Sequence, residues 1–232
     1  MDALRDVGQY IPMLLRASLL NIALLFSLIS VGFVVGTVVA VIQVYGRRAA
    51  STVAETYAWI FRSVPSLVML FLFYYTPPRF GVRISSFLAA TLALGLCSSA
   101  YQSQIFRGAI QAISGGQMQA ARSLGMSRPR AVVCVMLPQA FRLAIPGWSN
   151  EFSSVVKDTA LAYVVGLNEV MRAAKLINDT RYDLTMPALI LTALLFLAMT
   201  NAGNLVLGGI ERKFGIPGLQ MPGRTRTADA GR

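Results

Sequence analysis

The sequence contains no histidine. That removes Ser-His-Asp and Cys-His nucleophiles, and any metal site built on imidazole, from consideration. No G-x-x-x-x-G-K-[ST] run occurs either, so the chain has no Walker loop to cradle ATP phosphates. Cysteine is nearly absent: Cys97 lies in an apolar run, Cys134 in a more polar segment, and neither has a CxxC partner. A disulfide across those two environments is implausible, and both thiols read as inert packing residues. Charge is scarce as well. Only 13% of the 232 residues are charged against 55% hydrophobic, with a mean hydropathy of +0.59, which is too little charge to cover a soluble surface. The few carboxylates are scattered with no spacing suited to general acid-base work, which leaves a membrane enzyme without a recognisable site.

What charge there is has one dominant sign, +11 in all. Nucleic acid does not follow from it, because the basic residues sit in short segments between apolar runs rather than on one face. Retention of Lys and Arg on the inner side of a membrane accounts for them better. Ala17 to Gly46 carries no charge and Arg47-Arg48 follow as a stop, so a first span is expected over about 17–45. Asp2, Arg5, Asp6 and Arg16 precede a run far longer than a signal-peptide core with no clear cleavage site after it, so this span is expected to stay uncleaved. Within it Gly32, Gly36 and Ala40 form a smooth stripe, suited either to a subunit interface or to packing inside the chain's own bundle.

Further spans are expected over about 56–76, 84–106, 143–168 and 184–211. The second has Arg62 and Pro65 near its start; they mark an end, where arginine can snorkel and proline bend the helix. Thr76 to Gly81 then reverses the chain. The fourth span carries Glu151, Lys157 and Asp158. Charges at membrane depth cost a few kcal/mol each unless paired or wetted, so this span should face protein or a polar pathway, with Glu151, Lys157, Asp158 and Thr159 as the candidate lining. The competing reading puts those charges at one interface, neutralised by lipid or loop partners. In the fifth span Asn201 and Asn204 read as interhelical glue. The polar tail 221–232 reads as disordered.

One long segment cannot lie in lipid although spans flank it, the loop of about 107–140. Its local grammar is helix, break, helix: good helix formers from Gln117 to Leu124, Gly125 able to turn left-handed, Ser127 as a cap and Pro129 tolerated in the next first turn. Ala120 and Ala121 offer almost no side chain, so a partner could approach closely, with Arg122, Arg128 and Arg130 around the contact. An ordinary interfacial amphipathic hairpin is the plainer alternative.

Gln119-Ala120-Ala121, then Gly125, then Val135-x-Leu137-Pro138 resembles the E-A-A-x3-G-x9-I-x-L-P signature of the membrane subunits of binding-protein-dependent ABC importers. Gln119 stands where that family usually has Glu. Ala100-Tyr101 with Arg107-Gly108 resembles the A-Y-x-x-E-x-x-R-G pattern of the polar amino acid branch, with Gln104 in place of its Glu. Arg62 and Pro65 resemble R-G-T-P, and Asn150-Glu151-Phe152 and Lys157-Asp158-Thr159 resemble the N-E-F and K-D-T blocks. The resemblance implies an all-α integral membrane bundle of the type I importer permease kind, five transmembrane helices with a cytoplasmic coupling-helix loop. Gln119, Ala120, Ala121, Arg122 and Gly125 would then couple to a separate ATPase. It further implies a non-catalytic subunit that binds no cofactor or metal itself, ATP and magnesium belonging to a cytoplasmic ATPase dimer. A second permease chain, identical or related, and an extracytoplasmic (periplasmic) amino-acid-binding protein complete the expected assembly in the bacterial inner membrane.

Five spans put the termini on opposite sides. With the amino terminus outside, the inner segments hold twelve basic residues, Arg47, Arg48, Arg107, Arg122, Arg128, Arg130, Arg142, Arg212, Lys213, Arg224, Arg226 and Arg232. The outer segments hold seven, Arg5, Arg16, Arg79, Arg83, Arg172, Lys175 and Arg181, which favours a cytoplasmic loop and carboxyl terminus. Two other classes fit a multi-span chain: an ion-coupled carrier or channel using Glu151 or Asp158, and a membrane anchor with no pathway.

Overall fold

The computed structural model describes residues 7–214; the expected disordered tail, 221–232, lies outside that range. Every regular element among the described residues is helical. The first long helix, α1 (Ile11–Tyr45), admits Pro12 in its opening turn, where the missing N–H costs nothing, and ends at Gly46. Its glycine stripe settles inside the chain's own bundle. A Cβ placed on Gly36 would stand 2.9 Å from the Ser99 carbonyl oxygen, and one on Gly32 would overlap the Gln102 side chain. Ala40 is fully buried beside Phe106. In lipid, apolar burial does not drive helices together, so close backbone approach of this kind carries the packing.

The expected second span is not one helix. α2 (Arg48–Ser63) and α3 (Ser66–Tyr75) meet at a break with a bend of 101°. Pro65 is the cause: it has no N–H to continue the ladder, and it forces Val64 into an extended conformation, φ −86°, ψ 131°. Arg62 does stand at an end, its Nε donating to the Ala58 carbonyl at 3.1 Å. A 3-10 turn, Pro77–Phe80, closed by Gly81 at φ 77°, then reverses the chain as expected.

α4 (Ser86–Ala112) is the central helix, capped at its start by Ser85, which accepts from the Leu88 N–H at 3.2 Å. It runs six residues past the expected end, and Arg107, expected to close the span, lies within it, 3.6 Å from Glu55 of α2. It is also too polar to count as a membrane-crossing helix by apolarity. Three runs do so among the described residues, Ile11–Tyr45, Arg128–Val165 and Tyr182–Lys213, with the bent pair Arg48–Ser63 and Ser66–Phe80 as a fourth. The physical reason is that α4 meets protein instead of lipid: Ser98, Ser99, Gln102 and Ser103 are all buried along it.

After α4 come α5 (Gly115–Ser123), the single turn α6 (Arg128–Ala131) and a π-helical stretch, Val132–Met136, leading into α7 (Leu137–Asp158). A 3-10 segment, Thr159–Val165, ends at Gly166, φ 85°. α8 (Val170–Thr180) and α9 (Thr185–Phe214) finish the described chain. An aromatic cluster ties α1, α4 and α7, with the Phe33 ring centroid 5.4 Å from Phe106 and 5.1 Å from Phe141. Cys97 is buried as expected; Cys134, on the outside of the π-helical stretch, is exposed and so is not a packing residue.

Candidate functional site: an elbow at one end and a polar interior

The elbow forms because α5 is stopped twice over. Gly125 takes φ 82°, its N–H reaches the Arg122 carbonyl at 3.0 Å, and the Met126 N–H reaches the Ala121 carbonyl at 3.2 Å. These two bonds are those of a Schellman motif, which satisfies carbonyls that the helix end would leave orphaned. Arg122 reinforces the turn by donating from Nη1 to the Met126 carbonyl at 3.2 Å. Ser127 stands at the N-cap position of α6 with Pro129 in its first turn, although its hydroxyl makes no capping bond. Pro138 then lacks the N–H that an unbroken α-helix would direct at residue 134, which fits the wider turn just before it. Gln139 donates its side-chain amide to the Val135 carbonyl at 2.8 Å beside that wider turn.

Gln119, Ala120, Arg122 and Gly125 are exposed on the elbow, and Leu124 at its tip is 81% exposed. Ala121 departs from expectation. It is buried, turned with Ala131, Val132 and Met136 toward the rest of the chain, so the smooth outer surface is Ala120's alone. The elbow sits against the carboxyl-terminal end of α1: the Arg128 guanidinium lies over the Tyr45 ring, 5.7 Å from its centroid. Arg47, Arg48, Arg122, Arg128 and Arg130 therefore gather at one end of the bundle.

The interior charges are held in two hydrogen-bond groups. Glu151, half-buried, accepts from the Ser98 hydroxyl at 2.8 Å; Ser98 accepts from Gln102 Nε2 at 3.1 Å; Gln102 Oε1 accepts from the Trp148 indole at 2.8 Å. Farther along α7, Thr159 is buried and accepts from Asn21 Nδ2 at 3.0 Å. The same Asn21 amide donates to Glu169 Oε2 at 3.0 Å, and its Oδ1 accepts from the Val170 N–H at 3.0 Å. Glu169 is fully buried and caps α8 through the Met171 and Arg172 N–H groups. Burial pushes its carboxyl above the ordinary range, and the donors from Met171, Asn21 and Arg172 pull against that. Asp158 is half-buried and Lys157 exposed, so the four candidate lining residues are not one cluster.

Asn21, Gln43, Ser98 and Gln102 are invisible to a reading of charges alone, and Glu169, a charge just past the expected fourth span, reads as part of a polar loop. The signal for Asn21 and Gln43 was there, single amides in an otherwise apolar run, which in lipid require a partner. Gln43 finds Gln104, whose amide donates to Gln43 Oε1 at 3.3 Å. Asn204 is glue, accepting from the Ser153 hydroxyl at 3.0 Å, whereas Asn201 has no side-chain partner among the described residues.

Residues 32–215 match the family model described as "Binding-protein-dependent transport system inner membrane component". The nopaline transport system permease protein of Agrobacterium fabrum is 37% identical over 74% of this chain and 76% of its own length. The arginine transport system permease protein of Bacillus subtilis is 31% identical over 88% and 93%. Among solved structures, a chain of an amino acid ABC transporter superposes with a TM-score of 0.79 at 32% identity, covering 90% of this chain and 97% of that one. A chain of the MetNI methionine ABC transporter shares the fold, with a TM-score of 0.69 at 21% identity. The chain thus belongs to the inner membrane components of binding-protein-dependent transport systems, as an ABC transporter permease.

Proposed function

We propose that this chain is the permease of an ATP-driven importer for polar amino acids, one that forms the pathway and is worked through its elbow by a separate cytoplasmic ATPase dimer. The observation that carries the coupling role is the elbow itself. It is a locally closed, Schellman-terminated unit with exposed Gln119, Ala120, Arg122, Leu124 and Gly125, held to the rest of the bundle on its other side. In this reading α4 is a fifth crossing that needs no apolar surface because its neighbours surround it. The arginine-rich end is cytoplasmic, the amino terminus lies outside, and a second permease chain closes the pathway. An extracytoplasmic binding protein delivers the solute. Relatives whose names specify nopaline and arginine favour a polar amino acid or its derivative as cargo.

The pathway in this reading runs past α7, with Glu151, Lys157, Asp158 and Thr159 as its candidate residues. Thr159, bonded to Asn21, would act by fixing the backbone rather than by touching solute. The test is purification in mild detergent followed by reconstitution with the co-purifying subunits. An ATP-hydrolysing partner and uptake that needs ATP are expected. Solute accumulation by this polypeptide alone, with no nucleotide present, overturns the reading.

A further inference from the structure

Resting on the permease reading, we infer that the wetted wall of the pathway is a polar strip on α7 formed by Asn150, Ser153, Ser154 and Lys157, joined by Asn204 of α9, with Glu151 and Asp158 only at its edge. Arg142, Pro146, Asn150, Ser154 and Lys157 are all exposed on α7. At about 100° per residue these positions and Ser153 fall within roughly 120° of one another around the helix. The strip is therefore one face and not a scatter. From Asn150 to Lys157 the strip runs about 10 Å at 1.5 Å per residue, and the same exposed face continues past Pro146 to Arg142, about 22 Å in all against a hydrocarbon core of about 30 Å.

Lipid cannot cover such a face, since each unmet polar group in hydrocarbon costs kcal/mol. The chain's own partners meet it only at Ser153 and leave Asn150, Ser154 and Lys157 exposed. Glu151, Gly147 and Trp148 turn the next face of α7 toward α4, through Ser98, Ile105 and Gln102. On the other flank Phe152 packs against Gly203 of α9, and Ser153 donates to Asn204. The strip lies between these two contacts. Ser153 and Ser154 hydroxyls donate back to carbonyls one turn earlier, at 3.2 and 3.5 Å, and the Asn150 amide has no side-chain partner among the described residues. The Asn150 and serine oxygens can accept from water or an ammonium, and the Asn150 amide nitrogen with Lys157 and Arg142 can donate to a carboxylate, so the face suits water and a zwitterionic solute.

Thiol chemistry tests the assignment. In a background of Cys97→Ala and Cys134→Ser, the complex carrying Asn150→Cys, Ser154→Cys or, as control, Val34→Cys is reconstituted in vesicles and treated with a membrane-impermeant sulfonated methanethiosulfonate. Val34 is 62% exposed on α1, on an apolar surface. The reacting species is the thiolate, which forms in water and not in hydrocarbon, so Ser154→Cys and Asn150→Cys should react on the order of tenfold or more faster than Val34→Cys. Equal rates for all three, or reaction of the strip positions only with a lipid-soluble maleimide, overturn the assignment. Co-purification of the ATPase with the same variants reports separately on the permease reading, which fails if no such partner is present whatever the labelling pattern.

Discussion

α9 and α4 are inside-out versions of each other. α9 turns Met186, Ile190, Leu194, Leu197 and Leu205 outward and buries little, whereas α4 is lined on its buried side by alanine, serine and glutamine. In water the first pattern would be a liability and the second a weak core. In a bilayer both are sensible, because lipid solvates leucine as well as protein does. What holds helices together is close approach and internal hydrogen bonds. The difference teaches that along α4 burial favours small and polar residues, Leu94, Phe106 and Ile110 excepted, while along α9 exposure tracks large apolar ones.

Four substitutions probe that contrast. Gly36→Leu should do most damage, since its Cβ alone would press to 2.9 Å from the Ser99 carbonyl oxygen; about 1–3 kcal/mol or more of overpacking is expected, read as loss of thermal stability in detergent and of assembled complex. Gly125→Val imposes a β-branched residue on φ 82° at a cost of about 1–2 kcal/mol, but in a segment remote from the α1–α4 contact. The fold should survive while ATP-driven uptake falls relative to ATP hydrolysis; full coupled transport by this variant would count against the elbow's role. Gln102→Leu removes the partner of both Trp148 and Ser98 and should cost about 0.6–1.7 kcal/mol, with the Trp148 fluorescence altered. Ile190→Ala, 59% exposed on α9, should shift the melting temperature least, because lipid contact replaces lipid contact. A large loss there would mean that protein and not lipid covers this face.

The same contrast explains what could be read from the sequence. Long charge-free runs made the first and last spans plain, and Gly125 with Pro129 gave the elbow, because a left-handed glycine and a first-turn proline are local requirements. Lack of charge led to α4 being expected as a span, which its apolarity does not support, and its place at the centre was not legible: burial of Gln102 depends on Gly32 and Gly36 some seventy residues earlier. Pro65 announced a bend without its size. A right-angle turn instead of a kink depends on what α4 presents to Tyr57 and Arg62, including the Ser99 hydroxyl 2.6 Å from the Tyr57 oxygen and Tyr101 reaching the Arg62 carbonyl. Glu151 and Thr159 were picked out by residue type, but which way each faces is set by Ser98 and Asn21 on other helices.

The break at Val64–Pro65 leaves α3 with ten residues, about 15 Å of rod, half the thickness it would need to stand through the hydrocarbon on its own. α2, turned 101° from α3, is tied to the elbow end of α1 by Gln43, whose amide reaches the Ala54 carbonyl at 3.2 Å. Trp59, 64% exposed on α2, puts on that arm the kind of large amphipathic ring that membrane proteins favour at headgroup level.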